Sequence, residues 1–276
     1  MGACQHDGVG LFEDETAVDE VRPGHWRTVL SGRWSIGGNA NGGYALSPVL
    51  RALAATGGHA DPLSVPTHFL RPVAVGVAEP QAAEVRTEIV RQGRTTTVAR
   101  ATLVQDGRER LTVLGTFGDL DEVVGVDHEL TVPAPPTTAP DDCVHRSQLA
   151  QGVELSILDR LDIRIDPGRA VAGGSSEAVM EGWVRFADGG DPSTLALPLF
   201  ADAFPPSLYP RFGRVGWVPS VELTVHVRRR PAPGWIHARF ECDDLTGGRM
   251  IETGALWDST GALVARSRQL GLLLTP

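Results

Sequence analysis

The sequence contains no lysine, so each of its 25 basic residues is an arginine. A chain without lysine cannot form a lysine Schiff base, hold pyridoxal phosphate covalently or supply the lysine of a Walker A loop. These absences exclude several large classes of enzyme.

Cysteine is also scarce. The three cysteines lie far apart and include no CxxC pair, so neither a disulfide framework nor a cysteine zinc site is predicted. No apolar run approaches the about 18 residues that a membrane helix needs, and the acidic N-terminal residues are unlike a signal peptide. We therefore expect a cytoplasmic protein without membrane insertion.

Positive charge is in deficit, since the net charge is -9. Nucleic-acid partners are not expected, because proteins that bind nucleic acids carry a positive field over the binding face. The one basic cluster, Arg228 to Arg230, is too short to change this. A hydrophobic content of 42% with 21% charged residues is typical of a soluble globular chain, and 276 residues suffice for one or two domains.

Several catalytic motifs are missing as well. The sequence has no GxSxG elbow, no GxGxxG that opens a βαβ unit, and no HExxH or HxH spacing among its eight histidines. We expect neither a metal nor a separate cofactor.

What is present divides the chain into four parts. Residues 1–20 carry many acidic side chains and little apolar periodicity, which predicts a flexible acidic arm. Pro133 to Pro140 has the sequence PAPPTTAP, which favours an extended spacer, and we take 121–148 as a Pro-rich linker. A first unit (21–120) and a second unit (149–276) remain.

The two units share one pattern, which is an internal repeat. In each, a helical segment precedes a strand that ends in an arginine-proline pair, and two long strands follow a turn. The apolar stripes predict helices at Gly43 to Ala54 and Leu195 to Phe204, and β-branched runs predict strands at Thr95 to Val104 and Ile236 to Cys242. The fold class is therefore α+β, with a sheet wrapped around a helix in each unit.

These segments carry a family resemblance. The first unit contains, in order, the segments NANGGYALSPVLRAL, VPTHFLRPV and RQGRTTTVARATLVQDGRERLTVLGTF. The second unit contains, in order, LPLFADAF, VPSVELTVHVRRRP and VARSRQLGLL. In order and spacing they resemble the double-hotdog acyl-CoA thioesterases of the type II, TesB-like family. The resemblance implies a double hotdog, lipid metabolism and hydrolysis of an acyl-CoA thioester to a free acid and CoA.

The resemblance also implies a catalytic trio, which falls on Asp202, Ser220 and Gln269 in this sequence. A partly buried carboxylate has a pKa raised toward neutrality, so Asp202 suits the role of general base for water. A hydroxyl at Ser220 and an amide at Gln269 suit the positioning of that water. The first helix and its flanks, residues 37–60, contain no acid, so we expect one site per chain.

Further residues are predicted to bind substrate. The first unit is expected to supply walls and backbone contacts through the turn that opens its helix, and the glycine pair there permits close approach of a ligand, although a plain turn explains it equally well. The substrate-binding candidates are Asn39, Asn41, Gly42, Gly43, His68 and Arg94. Coenzyme A is part of the substrate, and its phosphates need local positive charge or a helix N-terminus. Apart from protonated histidine or the amino terminus, only arginine can supply that charge here, and the candidates are Arg71, Arg91, Arg94 and Arg228 to Arg230.

Two alternatives stay open. The family's asparagine shortly after the aspartate is absent, because Ala203 to Pro206 occupy that stretch, so a non-catalytic protein that binds acyl-CoA or a fatty acyl chain is the second hypothesis. Hydration of enoyl thioesters is a third hypothesis, but the sequence lacks the GDxNPxH-like segment that this reaction uses in other hotdog proteins. The resemblance further implies a homodimer or a higher homo-oligomer.

Overall fold

The structure, a computed structural model, describes residues 10–122, 125, 130, 132–216 and 218–274. Its helices and strands follow in chain order: α1 (Leu11–Glu15), β1 (Asp19–Arg22), β2 (His25–Leu30), β3 (Ser35–Ile36), β4 (Asn39–Ala40), α2 (Gly42–Gly57), β5 (Asp61–Phe69), β6 (Gln81–Gln92), β7 (Thr96–Gln105), β8 (Arg108–Gly118), β9 (Val144–His145), β10 (Leu161–Ile165), β11 (Val179–Phe186), α3 (Leu197–Ala201), α4 (Tyr209–Phe212), β12 (Ser220–Val227), β13 (Ile236–Thr246), β14 (Arg249–Trp257) and β15 (Leu263–Leu272).

Thirteen of these strands form one antiparallel sheet in the order β1-β2-β6-β7-β8-β5-β12-β15-β14-β13-β11-β10-β9. The first six come from the first unit and the last seven from the part of the chain after residue 140. The two units meet where β5 pairs with β12, in a register that runs from His68 opposite Glu222 to Ser64 opposite His226. The sheets of the two units are thus joined edge to edge by main-chain hydrogen bonds.

The long helix α2 lies against the sheet of the first unit. It begins because the Asn41 side chain accepts a hydrogen bond from the Tyr44 amide at 2.9 Å, and it ends at Gly58, whose φ of 71° is left-handed. Apolar residues surround the helix almost completely, as expected for an element enclosed by a sheet. The predicted span of Gly43 to Ala54 lies inside it.

The helix of the second unit is much shorter than the predicted Leu195 to Phe204. Only α3 is helical there, and Asp202 is its C-cap with non-helical backbone angles. Pro205 disfavours helical geometry at Phe204, the residue before it, so the helix cannot continue to the predicted end. The helix ends at Ala201, beside the carboxylate.

The predicted acidic arm is wrong for residues 11–20, whereas residues 1–9 lie outside the described part of the chain. Phe12 on α1 is buried and stacks on Phe186 with ring centroids 5.1 Å apart. Glu15 pairs with Arg160 at 2.6 Å and accepts the Trp34 indole N–H. The many acidic residues of this segment gave no sign of the buried Phe12 or of the Glu15–Arg160 ion pair. These contacts hold the segment against both units.

The predicted linker is also more than a spacer where it is described. The Thr138 carbonyl accepts the indole N–H of Trp183 at 2.8 Å, and the Thr138 hydroxyl donates to Asp166. The segment therefore lies along the sheet of the second unit, and its end reaches the interior at Arg146. Across the described ranges, no helix is both long and apolar enough to cross a bilayer.

Candidate active site

A cavity of about 360 Å³ lies between the two units, where the C-terminal end of α3 meets the N-terminal end of α2. Much of its wall is apolar, with Phe69, Val73, Phe204, Val218, Phe240 and Met250 among its lining residues. Polar and charged side chains cluster around Asp202, so the cavity combines an apolar volume with one charged centre.

One oxygen of Asp202 faces the helix end of the first unit. Its Oδ2 accepts a hydrogen bond from the Gly43 amide at 2.9 Å and another from Asn41 Nδ2 at 2.9 Å. Asn41 Nδ2 also reaches the Asp202 carbonyl at 2.8 Å. The N-terminus of a long helix carries partial positive charge, so this position favours the ionised carboxylate.

The other oxygen faces the second unit. The Ser220 hydroxyl lies 3.5 Å from Asp202 Oδ1, and Gln269 Nε2 lies 3.4 Å from the same atom. Gln269 Nε2 also donates to the Ser220 hydroxyl oxygen. The first residue of β12 and the middle of β15 thus present their polar groups to the carboxylate from one side.

The pKa of Asp202 is raised to about 6, and burial in the cavity is the largest cause. Hydrogen bonds from the amides of Gly43 and Gly42, from Asn41 and from Ser220 act in the opposite direction, because they stabilise the charged form. Desolvation outweighs these donors, and the result is a carboxyl group that titrates near neutral pH.

The glycine pair at the start of α2 makes the contact between the units possible. A Cβ atom on Gly43 would lie 2.6 Å from Leu199 Cα and 2.8 Å from the Pro198 carbonyl oxygen, both backbone atoms of α3. A Cβ atom on Gly42 would lie 2.9 Å from Asp202 Oδ2. Only residues without a side chain allow α3 and its aspartate to approach this closely.

The structure brings most of the predicted site residues together. Ser220 and Gln269 contact Asp202, Asn41 and Gly43 donate to it, and Asn39 and Gly42 line the same cavity. These six come from both units, so neither unit holds the site alone.

Two predicted residues lie elsewhere. His68 is exposed and does not line the cavity, whereas its neighbour Phe69 does. Successive side chains of a strand point to opposite faces, so the two cannot share the cavity. Arg94 is exposed between β6 and β7, again away from the cavity lining. The structure therefore does not bring His68 and Arg94 together with the other predicted site residues.

Among the phosphate candidates, only Arg71 lines the cavity, and it is exposed there. A second exposed arginine on the lining, Arg214, was not among the candidates. Arg230 instead pairs with Asp61 at 2.8 Å and with Asp121 at 3.3 Å. No sequence motif marks Arg214, since it stands in a segment without regular periodicity.

Sequence reasoning also missed two buried charged residues of the cavity wall. Arg146 and Glu252 both line the cavity, with only 2% and 6% of their surfaces exposed. Glu252 lies opposite Gln269 across β14 and β15, and its Oε2 accepts the Ser207 amide at 2.9 Å. Burial raises the pKa of Glu252, and the nearby charge of Asp202 adds to that rise. The alternation of β14 could have suggested an inward Glu252, but Arg146 stands in a segment taken as linker.

Within the described ranges, no group of three or more histidine, cysteine, aspartate or glutamate residues is arranged to hold a metal ion. The polar groups that surround the Asp202 carboxyl group are the side chains of Ser220, Gln269 and Asn41, together with the amides that open α2.

Solved structures with the same fold are numerous. A provisionally assigned thioesterase II from Thermobifida fusca YX is 30% identical with a TM-score of 0.82, over 95% of this chain and 97% of that one. A hot dog fold protein of unknown function from Alicyclobacillus acidocaldarius has a TM-score of 0.84 at 20% identity, over 98% of this chain and 100% of that one. The predicted α+β double hotdog is confirmed.

Sequence relatives cover most of the chain without naming an activity. An uncharacterized protein of Mycobacterium tuberculosis (strain ATCC 25618 / H37Rv) is 27% identical over 271 residues, which cover 88% of this chain and 89% of that protein. The family model for the acyl-CoA thioesterase N-terminal domain matches residues 30–118, and the model for the C-terminal domain matches residues 135–273. The two matches span most of the sequence and meet in the order that the repeat predicts, so the chain belongs to the acyl-CoA thioesterase family.

Proposed function

We propose that this protein hydrolyses an acyl-CoA thioester to a free carboxylic acid and CoA, with Asp202 as the general base. The observation that carries the proposal is the Asp202 carboxyl group, which faces a largely apolar cavity and has a pKa raised to about 6. Such a group is ionised in most molecules at pH 7 and still basic enough to accept a proton from water.

The reaction needs one proton transfer in each direction. Asp202 Oδ1 takes a proton from water while the water oxygen attacks the thioester carbonyl carbon and forms a tetrahedral oxyanion. When the oxyanion collapses, the C–S bond breaks, and the departing CoA sulfur takes the proton from the Asp202 carboxyl group. The acid and the thiol leave, and the carboxylate is restored.

Ser220 and Gln269 are the proposed water ligands. Both lie at hydrogen-bonding range from Asp202 Oδ1, so a water bound among the three polar groups would be held next to the base. A hydroxyl and an amide can each donate and accept, which suits a water that must both give a proton and attack. The positive end of α2 favours the negative charge of the tetrahedral intermediate.

The missing asparagine after Asp202 does not leave the carboxylate without an amide partner. Asn41 of the first unit donates to Asp202 Oδ2 at 2.9 Å. The proposed catalytic competence therefore rests on an amide that comes from the other repeat. This contact favours an active hydrolase over a protein that only binds acyl-CoA.

The decisive experiment is thiol release from a panel of acyl-CoA thioesters by the wild type and by Asp202→Asn. Removal of a general base costs about 10²- to 10⁴-fold, so we expect the variant to lose at least two orders of magnitude in kcat/KM. Asp121→Asn, a change of the same chemistry at an exposed position, serves as the control and retains full activity.

Two outcomes contradict the proposal. A wild type that releases no thiol from any member of the panel, yet binds acyl-CoA with saturation, would be the non-catalytic binding protein. An Asp202→Asn variant that hydrolyses thioesters as fast as the wild type would show that Asp202 is not the general base.

The same panel of acyl-CoA thioesters identifies the preferred acyl group. Size-exclusion chromatography with light scattering tests the expected homo-oligomer.

A further inference from the structure

Arg146 is a buried charge in the wall of the proposed active site. It begins the short 3-10 turn that follows β9, within the segment that sequence reasoning takes as linker. Its side chain lines the cavity although only 2% of the residue is exposed to solvent. An arginine so enclosed is uncommon unless an anion accompanies it.

The hydrogen-bond partners of Arg146 are all neutral. Its Nη1 donates to the carbonyl of Ala203, the residue directly after Asp202, and its Nε and Nη2 donate to Gln151 Oε1 at 3.3 and 3.0 Å. No ion pair within 4.0 Å joins it to a carboxylate in the described part of the chain. Burial lowers the pKa of Arg146 to about 9, so the guanidinium is still charged at neutral pH, and the charge of Asp202 counters that fall.

The charged groups around Asp202 can be named element by element. The N-terminus of α2 brings no charged side chain, and β12 and β15 bring Ser220 and Gln269. Glu252 on β14 is a second buried carboxyl group, which disfavours a charge on Asp202. The cavity arginines Arg71 and Arg214 are exposed, where solvent screens them.

We propose that Arg146 is a positioning residue whose guanidinium supplies the counter-charge that keeps Asp202 ionised inside the cavity. Its bond to the Ala203 carbonyl also holds the backbone at the end of α3, where the aspartate begins. The consequence for turnover rests on the proposed function, whereas the electrostatic effect on Asp202 does not require turnover.

Two variants abolish the net positive charge at this position, one by deleting the guanidinium and the other by neutralising it. Arg146→Gln deletes the charge and keeps an amide donor. Gln151→Glu leaves Arg146 in place and gives the guanidinium a carboxylate partner, so it tests the idea even where Arg146→Gln does not fold. Arg146→Lys keeps the charge, and Arg211→Gln removes an exposed arginine that does not line the cavity.

The first measurement is the carboxyl titration of Asp202 by carbon NMR with labelled aspartate, assigned with Asp202→Asn. We expect Arg146→Gln and Gln151→Glu to move the Asp202 titration upward by about one pH unit, the order of magnitude for a nearby charge in a protein interior. In Arg146→Lys and Arg211→Gln, the Asp202 titration should lie within a few tenths of a pH unit of its position in the wild type.

The second measurement is the pH dependence of kcat/KM for the best acyl-CoA of the panel. The acid limb, near pH 6 in the wild type, should move upward by the same amount in the two charge-removing variants. At pH values below the limb, kcat/KM of these two variants should be about tenfold lower than that of the wild type, and well above the limb it should equal the wild-type value.

The outcomes separate the inference from the proposed function. An Asp202 titration that stays in place in both Arg146→Gln and Gln151→Glu overturns the counter-charge role, whether or not thioesters are hydrolysed. A uniform fall in kcat/KM at every pH with an unmoved limb shows a purely structural residue. A wild type without turnover contradicts the hydrolase alone, since the NMR titration still decides the role of Arg146.

Discussion

Asp202 shows how one residue balances opposing effects. Burial disfavours its charge, whereas two glycine amides, Asn41 and Ser220 favour it, and the pKa of about 6 is the outcome. The family resemblance indicated Asp202 as the candidate base, and its apolar neighbours in the sequence are consistent with a buried carboxylate. Sequence reasoning could not find Asn41 as its partner, since the two are 161 positions apart.

The same balance predicts a stability cost. A carboxyl group whose pKa rises from 3.8 to about 6 on folding favours the folded state only while protonated. That contribution is present below about pH 4 and is lost as the pH rises through 6, a difference of about 3 kcal/mol. Asp202→Asn carries no charge, so it should be more stable than the wild type at pH 7 by about 1–3 kcal/mol and similar at pH 4.

Urea unfolding at the two pH values checks this prediction. Asp121→Asn is the control, because an exposed carboxylate should change stability by less than about 0.5 kcal/mol at either pH. An Asp202→Asn variant that is less stable at pH 7 than the wild type would show that the hydrogen bonds, and not desolvation, dominate at this residue.

At the scale of elements, the site depends on two helices that meet end to end. Sequence periodicity predicts α2 well, because a 16-residue apolar helix with a cap and a terminal glycine carries several agreeing signals. It predicts α3 poorly, since the run of Leu, Ala and Phe continues to Phe204, whereas the helix ends at Ala201. The short α3 is what places Asp202 at a helix end instead of on a helix face.

Gly43→Ala tests the meeting of the two helices. The new methyl group would collide with backbone atoms of α3 at 2.6 and 2.8 Å, so α3 must move and Asp202 with it. We expect kcat/KM to fall about 10²-fold, as for other displacements of a catalytic group by about 1 Å, and stability to fall by about 1–3 kcal/mol.

A matched control is Gly190→Ala, where the new methyl group comes nearest to the flexible Asp188 side chain, at 3.2 Å, and lies at an ordinary contact distance of 3.8 Å from Phe186 Cδ2. Activity of this control should equal that of the wild type. Equal activity in Gly43→Ala would mean that the contact between α2 and α3 has room to adjust, contrary to the packing seen here.

At the scale of the whole molecule, the two units are fastened together by more than the β5–β12 pairing. Asp61 on β5 is 2% exposed and accepts hydrogen bonds from Thr194 and Arg230 of the second unit, both at 2.8 Å, and from the Leu120 amide at 3.0 Å. A buried carboxylate with three donors is strongly tied to its partners.

Asp61→Ala should therefore lower the free energy of unfolding by about 2–4 kcal/mol, because three donors lose their acceptor and the Thr194 hydroxyl among them is buried. Urea unfolding measures the effect, and Asp121→Asn, which touches only the exposed side of Arg230, should cost less than about 0.5 kcal/mol. A loss below 1 kcal/mol in Asp61→Ala would show that strand pairing alone holds the units together.

The lack of lysine also acts at this scale, because in the proposed reaction arginine is the main source of positive charge for the phosphates of CoA. Arg71 and Arg214 are the exposed arginines of the cavity lining, so Arg71→Ala and Arg214→Ala should raise KM several-fold with little change in kcat. The effect should shrink at high salt. Arg94→Ala, away from the cavity, should leave both constants unchanged, and equal KM values in all three variants would place the phosphates elsewhere.

The sequence by itself determined the repeat, the first helix and the strand pattern, because these follow from local periodicity, and the family resemblance of its segments indicated the candidate base. Only the tertiary structure decided which groups surround that base. Asn41, Arg146 and Glu252 come from a helix entry, an irregular segment and a strand face that lie far apart in the chain. Their meeting depends on how the two units pack, and the electrostatics of a buried site depend on every charge that packing brings near.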